Sequence, residues 1–262
     1  MKKIVFLDLD DTLWRFEQIP DSALEAIELA RKNGNKIFVN TGRTRCEVPQ
    51  LLWDLNLDGY CFSSGSEIYV EGKRVLYVPL DKDLIKFTQK NADLYNIAFS
   101  LEGSEMTFSN EKHRQRKASF MVDNRMGNRF LTFPDMHTMK EEDYDQIMKF
   151  NMHFDDMQQK EDFLKTLPKE FVFTDSKHLG GEITYKQYNK ATAIHYAEEY
   201  YDYAYETVAI GDSGNDLAML YYADIAVAMG NGVSDVKNMA DFVTDAIDHD
   251  GLYKAFRRLH LF

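Results

Sequence analysis

The stretch Lys3-Ile4-Val5-Phe6-Leu7-Asp8-Leu9-Asp10-Asp11-Thr12-Leu13 carries an apolar run of strand length that stops at three carboxylates and a threonine. A short apolar run bounded by polar residues reads as a buried strand of a parallel sheet. Such a strand delivers Asp8 to its carboxyl end, where open α/β sheets bind their ligands. Asp10 and Asp11 follow at once, and like charges this close repel one another unless a cation compensates them. Clusters of Asp and Thr also serve as helix caps and turns. Taken alone, the stretch leaves a cap and a metal site both open.

Working outward, residues 20–32 read as a helix: Ala23, Ala26, Ile27 and Ala30 recur at helical spacing, and Asn33-Gly34 follows. The next apolar run, 36–39, stops at Asn40-Thr41-Gly42-Arg43. Strand, helix and strand make a βαβ unit, so Thr41 should emerge on the same sheet rim as Asp8. A helix over 49–55 and a strand over 59–62 follow, ending in the small-residue loop Ser63-Ser64-Gly65-Ser66. A hairpin is expected across 68–78, turning at Glu71-Gly72-Lys73-Arg74.

From about residue 80 to 183 the texture changes. Phenylalanine and methionine concentrate here, and no strand-like run ends in Asp-Thr or Gly-Asp. Helices are expected over 83–94 and 160–167, and strands over 97–101, 149–154 and 171–174. The basic run 111–117 reads as a solvated loop, with contact to an anionic ligand as the alternative. Strand–helix alternation then returns. A helix over 190–201 precedes a strand over 207–210, which ends in Gly211-Asp212-Ser213-Gly214-Asn215-Asp216. Further helices are expected over 217–222, 233–239 and 252–259, and strands over 225–228 and 242–243. Two stretches of the same texture around a different insert imply an α/β fold, a Rossmann-like doubly wound parallel sheet interrupted by an inserted α+β domain.

Composition narrows the function. The 262 residues carry a formal net charge of -12, a field that opposes nucleic acid and anionic membrane surfaces. A small phosphorylated ligand stays compatible, because a bound cation inverts the local potential. Two cysteines, Cys46 and Cys61, lack metal-ligand spacing and point to a reducing cytoplasm. No signal-peptide pattern and no membrane-length apolar run is read. Asp8, Asp212, Asn215 and Asp216 supply hard oxygen donors suited to Mg²⁺, and no His/Cys cluster invites a softer metal.

Four ordered motifs carry a resemblance. Asp8-Leu9-Asp10-Asp11-Thr12, Thr41-Gly42-Arg43, Lys190 and Gly211-Asp212-Ser213-Gly214-Asn215-Asp216 resemble the motifs of the haloacid dehalogenase (HAD) superfamily. The tail Ala223-Asp224-Ile225-Ala226-Val227-Ala228-Met229-Gly230-Asn231-Gly232, with Ala240-Asp241-Phe242-Val243-Thr244 and Asp250-Gly251-Leu252, is similar to the Cof-type branch. The resemblance implies a catalytic core at 1–80 and 185–262 and a C2B-type cap at 81–184. It implies a Mg²⁺-dependent phosphatase of a small phosphorylated metabolite, with a sugar phosphate leading. A sugar phosphomutase and a non-catalytic phosphometabolite-binding module are the alternatives.

The same resemblance distributes roles. Asp8 would attack phosphorus and form an aspartyl-phosphate, and Asp10 would move protons to the leaving group and from water. Thr41, Gly42 and Lys190 would hold the phosphoryl oxygens, with Asp11, Thr12 and Arg43 binding phosphate or substrate. Asp8, Asp10 and Asp212 would hold the metal, with Asn215 and Asp216 positioning its loop. Ser64, Gly65, His178 and Glu182 are candidate substrate contacts. Relatives commonly have Gly where this chain has Asp11, a small residue where it has Asn40, and Asn-Gly-Ala where it has Ser64-Gly65-Ser66. The oligomeric state is not readable from the sequence.

Overall fold

A computed structural model describes residues 2–116, 133–176 and 179–262. The chain forms two compact units. One comprises Met1–Arg43, Val48–Tyr77 and Tyr188–Phe262, and the other comprises Thr44–Glu47 and Val78–Gln187.

The first unit is built on an eight-stranded sheet. Its strands are β1 (Lys3–Leu7), β2 (Lys36–Asn40), β3 (Gly59–Phe62), β4 (Glu67–Val70), β5 (Lys73–Tyr77), β11 (Glu206–Gly211), β12 (Ile225–Ala228) and β13 (Phe242–Val243). Their order is β13-β12-β11-β1-β2-β3-β4-β5. β1 pairs in parallel with β2 and β11, while β4 runs antiparallel to its neighbours β3 and β5 in a meander at one edge. Because side chains alternate along a strand, Val5 and Leu7 enter one core and Ile4 and Phe6 the other. The helices Asp21–Lys32 and Gly251–Arg258 cover the first face, and Lys190–Tyr200, Leu217–Tyr222 and Ser234–Met239 cover the second. Burial on both faces explains why β1 is apolar at every position from Ile4 to Leu7.

The second unit is an α+β layer. Its strands β6 (Ala98–Gly103), β7 (Thr107–Ser109), β8 (Ile147–His153), β9 (Phe171–Ser176) and β10 (Gly180–Tyr185) form an antiparallel sheet in the order β7-β6-β8-β10-β9. Phe99, Leu101, Phe150, Met152 and Ile183 pack into one core with residues of the helix Lys82–Leu94 and Phe163 of the helix Met157–Leu164. The alternate positions Ser100, Glu102 and Lys149 are polar and buried. Lys149 bridges Glu102 at 3.0 Å and Glu182 at 2.6 Å.

Several expectations need correction here. The second helix of this unit starts at Met157, earlier than residue 160, because the Asp156 side chain accepts from the Gln159 N–H and nucleates the first turn. It ends at Leu164, where Thr166 turns back onto the Phe163 carbonyl. Residues 111–116 are helical where a loop was expected, and Lys117 lies outside the described residues. β10 lies where no strand is expected, since Gly180-Gly181 opens it. A Cβ at Gly181 would lie 2.3 Å from the Phe173 ring, so the strand trades propensity for that packing. Among the described residues, no helix is long and apolar enough to cross a membrane.

Candidate active site

β1, β2 and β11 are parallel neighbours, so their carboxyl ends share one rim. Asp8 follows β1 directly, and its N–H bonds the Ile210 carbonyl at 3.0 Å. Thr41 follows β2, and Asp212 follows β11. The helix Lys190–Tyr200 begins with Lys190, which Asn189 caps by accepting from Ala191 N–H while Thr192 Oγ1 accepts the Asn189 N–H.

Lys190 is fully buried, and its ammonium contacts both Asp8 Oδ1 and Asp216 Oδ1, the latter at 2.5 Å. The other Asp216 oxygen, Oδ2, accepts the backbone N–H groups of Asp212 and Ser213, each at 2.9 Å. Gly211 makes this possible, since a Cβ there would sit 2.5 Å from the Asp216 carboxyl carbon. Thr12 Oγ1 donates to Asp212 Oδ1 at 3.0 Å. Asn215 is exposed and accepts from Ser213 Oγ at 2.8 Å.

Carboxylate oxygens of Asp8, Asp212 and Asp216 lie within 4.8 Å of one another. Burial, and then the charge of Asp216, push the Asp8 carboxyl well above the usual range against the pull of Lys190. The same two causes push Asp212 up to about 6. Burial alone would lower Lys190, but the charges of Asp216 and Asp8 outweigh it and hold the ammonium above its ordinary value. When all are ionised, three carboxylates face one ammonium, leaving two negative charges uncompensated. A divalent cation cancels that excess, and all-oxygen donors suit a hard one.

Asp10 lies on the more accessible side. Arg43 grips it through Nε to Oδ2 at 2.8 Å and Nη2 to Oδ1 at 2.7 Å, and Trp14 Nε1 donates to Oδ1 at 2.9 Å. Burial pushes Asp10 up, but the Arg43 hydrogen bonds and charge, with Trp14, outweigh it and hold the carboxyl below its usual range. Thr41 Oγ1 accepts the Arg43 N–H at 3.1 Å, leaving its own O–H to donate. Ser64 N–H bonds the Thr41 carbonyl at 3.0 Å. Ser63, Ser64 and Gly65 all have positive φ. Gly65 is required, because a Cβ would lie 2.2 Å from the Asn189 carbonyl oxygen, just before Lys190. Backbone strain of this kind gathers at functional sites.

The first unit thus brings together Asp8, Asp10, Thr12, Thr41, Arg43, Lys190, Asp212 and Asp216. Asp11 turns its side chain away, to Arg15 at 2.6 Å, and its carbonyl accepts from Asn231. Glu182 belongs to the second unit and pairs with Lys149 there, and His178 lies outside the described residues. Three residues were not singled out as site members from sequence: Trp14, Asn40 and Asn231. Asn40 Nδ2 donates to the Lys190 carbonyl at 2.7 Å, so the departure at that position anchors the lysine's helix. Asn231 joins Asp11 to the Ile247 N–H. Only the Gly230-Asn231-Gly232 setting of Asn231 hinted at a tight structural role.

A family model described as haloacid dehalogenase-like hydrolase matches residues 5–256. A 5-amino-6-(5-phospho-D-ribitylamino)uracil phosphatase of Bacillus subtilis, YcsE, is 29% identical over 261 residues, covering 97% of this chain and 94% of its own. The solved structure of BT1666 from Bacteroides thetaiotaomicron, a HAD phosphatase, superposes with a TM-score of 0.85 at 27% identity, covering 100% of this chain and 96% of that one. The HAD subclass IIB sugar phosphatase BT4131 superposes at 0.83 and 26% identity, with both chains covered completely.

Proposed function

Because the chain belongs to the haloacid dehalogenase-like hydrolases, in their Cof-type branch, and is a phosphoric monoester hydrolase, we propose that it hydrolyses a small sugar phosphate through an aspartyl-phosphate on Asp8, with Mg²⁺. The observation that carries this reading is the Asp8–Lys190–Asp216 arrangement. It places two buried carboxylates against one buried ammonium at the strand ends, beside Asp212.

Asp8 is the nucleophile toward phosphorus; Lys190 pulls it toward its ionised form against burial and the charge of Asp216, and a bound cation would add to that pull. Lys190 and the Thr41 hydroxyl take up the charge that grows on the phosphoryl oxygens. Arg43 and Trp14 favour the ionised form of Asp10 in the free site. Asp10 therefore takes up a proton as Arg43 turns from it to phosphate, gives that proton to the leaving oxygen, and then takes one from the water that opens the acyl-phosphate. Asp8 and Asp212, with the Asp10 carbonyl, would hold Mg²⁺, which neutralises phosphate charge when bound. Asp216 fixes Lys190 and the Asp212 loop. The second unit is assigned as the C2B-type cap that selects the leaving group. Sugar phosphate leads because BT4131 is named a sugar phosphatase and YcsE acts on a phosphoribitylamino-uracil. A cytoplasmic location accords with the two free cysteines.

The test is phosphate release over a panel of phosphorylated metabolites with Mg²⁺ and with EDTA. Hexose and pentitol phosphates should head the panel, and EDTA should silence it. Asp8→Asn should abolish release on every ester while melting cooperatively. Wild-type rates in that variant would refute the aspartyl-phosphate route, and isomerised product without free phosphate would identify a mutase.

A further inference from the structure

Trp14 lies outside the acidic residues of the opening motif, yet it is fully buried and spends its one polar group on Asp10. The loop that presents it is closed by backbone bonds. Leu13 and Trp14 N–H groups both reach the Leu9 carbonyl at 3.0 Å, and Asp11 N–H reaches the Trp14 carbonyl at 2.8 Å. Its indole therefore sits on a fixed base, while the Asp10 side chain above it is half exposed. The Arg43 guanidinium lies 5.3 Å from the centre of the Trp14 ring, so one indole orders both partners of the Asp10–Arg43 pair.

The three donors on Asp10 are not equivalent. Arg43 is a long, flexible cation that an anionic substrate would attract, and any turn toward phosphate weakens its grip on Asp10. Trp14 has no second use for its N–H. A buried indole also needs a partner, so removing the carboxylate would leave the N–H unsatisfied. The two groups hold each other whatever Arg43 does. A Phe or Leu at this position would fill the space and leave Asp10 held by Arg43 alone.

We propose that Trp14 is a positioning residue for Asp10, its indole N–H fixing the carboxylate in the orientation from which it serves the leaving oxygen. The inference rests on the acid–base reading of Asp10. It predicts a defect that grows as the leaving group becomes poorer, because only a poor leaving group needs its oxygen protonated.

The experiment compares phenyl phosphate with p-nitrophenyl phosphate, with Mg²⁺, in wild type, Trp14→Phe and Asp10→Asn. The ratio of the two kcat/KM values is read on one preparation, so the fraction of folded enzyme cancels. The expected result is a fall in the phenyl to p-nitrophenyl ratio of about tenfold in Trp14→Phe and at least as much in Asp10→Asn. An unchanged ratio in Trp14→Phe beside a fallen ratio in Asp10→Asn overturns the role of Trp14 alone. An unchanged ratio in both overturns the acid–base reading and the inference with it.

A second measurement does not depend on how well a Trp14 variant folds. The chain has two tryptophans, Trp14 and Trp53, so Trp53→Phe identifies the Trp14 indole N–H resonance. Asp10→Ala should move that resonance upfield, as a lost charge-assisted hydrogen bond requires. A resonance that stays in place overturns the proposal.

Discussion

Arg43 and Asp10 are joined by two parallel hydrogen bonds, Nε to Oδ2 at 2.8 Å and Nη2 to Oδ1 at 2.7 Å. This fork matches a planar guanidinium to a planar carboxylate and cannot be copied by an ammonium. The same guanidinium is 3.8 Å from Glu17 and stacks over Trp14. Under the proposed function it is the cation that would couple substrate binding to the acid–base work of Asp10.

Arg43→Lys keeps the charge and loses the fork, and Arg43→Ala loses both. Turnover of a sugar phosphate should fall about tenfold in the first and about a hundredfold in the second. Steady-state kinetics against Asp10→Asn checks this. If both variants match wild type in kcat and KM, Arg43 is only a surface ion pair.

Metal and pH should be linked through Asp212. Its carboxyl is pushed up to about 6 by burial and by Asp216, with the Thr12 hydrogen bond opposing. In the unfolded chain it would release its proton near pH 4. Between those values the metal-free folded state holds a proton that the unfolded state has lost. The metal-free protein should therefore lose stability as pH rises from about 4 to about 6. Mg²⁺ would bind the ionised carboxylates, so its stabilisation should be small at pH 5 and full above pH 7. At a hundredfold excess over Kd the gain is about 2.7 kcal/mol, or roughly 5–10 °C in melting temperature. Thermal melts with Mg²⁺ and with EDTA at pH 5 and pH 8 measure it. Equal shifts at both pH values would contradict the linkage.

The doubly wound sheet could be read from the sequence because each of its central strands is apolar throughout and then stops at a polar residue with a chemical use. Ile4 to Leu7 ending at Asp8, and Val208 to Ile210 ending at Gly211-Asp212, are local patterns. What escaped the reading is not local. The Asn40 bond to the Lys190 carbonyl joins residues 150 positions apart, and no periodicity announces it. Trp14 carries no motif signal of its own, because its bond to Asp10 depends on how the loop after β1 folds. β10 is masked by two glycines, of which Gly181 leaves space for the Phe173 ring and Gly180 lies against His153 and Ser176. The helix at Met157–Leu164 was placed too late because its start is set by the cap at Asp156 and not by its apolar face.

Asp11 adopts φ 60, in the left-handed region where glycine is at ease and Asp is tolerated. Its side chain contributes one exposed pair with Arg15, at 2.6 Å. Asp11→Gly should therefore keep stability within about 1 kcal/mol and leave phosphate release close to wild type. Asp11→Val, β-branched and barred from that conformation, should cost about 1–2 kcal/mol. Denaturant midpoints of the two variants compare them, and equal midpoints would show that the loop relaxes out of this conformation at no cost.

Gly211 tests the core of the site without replacing a charged group. An added Cβ would lie 2.5 Å from the Asp216 carboxyl carbon and 2.6 Å from its Oδ2, within a fully buried setting. Asp216 cannot yield freely, because Oδ1 holds Lys190 and Oδ2 holds two backbone N–H groups of the Asp212 loop. Gly211→Ala should destabilise the protein by about 1–3 kcal/mol, as overpacking does. It should also lower kcat more than it raises KM, since Lys190 and the Asp212 loop shift together while Arg43 and Asp10 stay in place. Urea midpoints and steady-state kinetics on the same samples separate the two effects. A variant that loses stability with full kcat would show that Asp216 serves the fold and not the reaction.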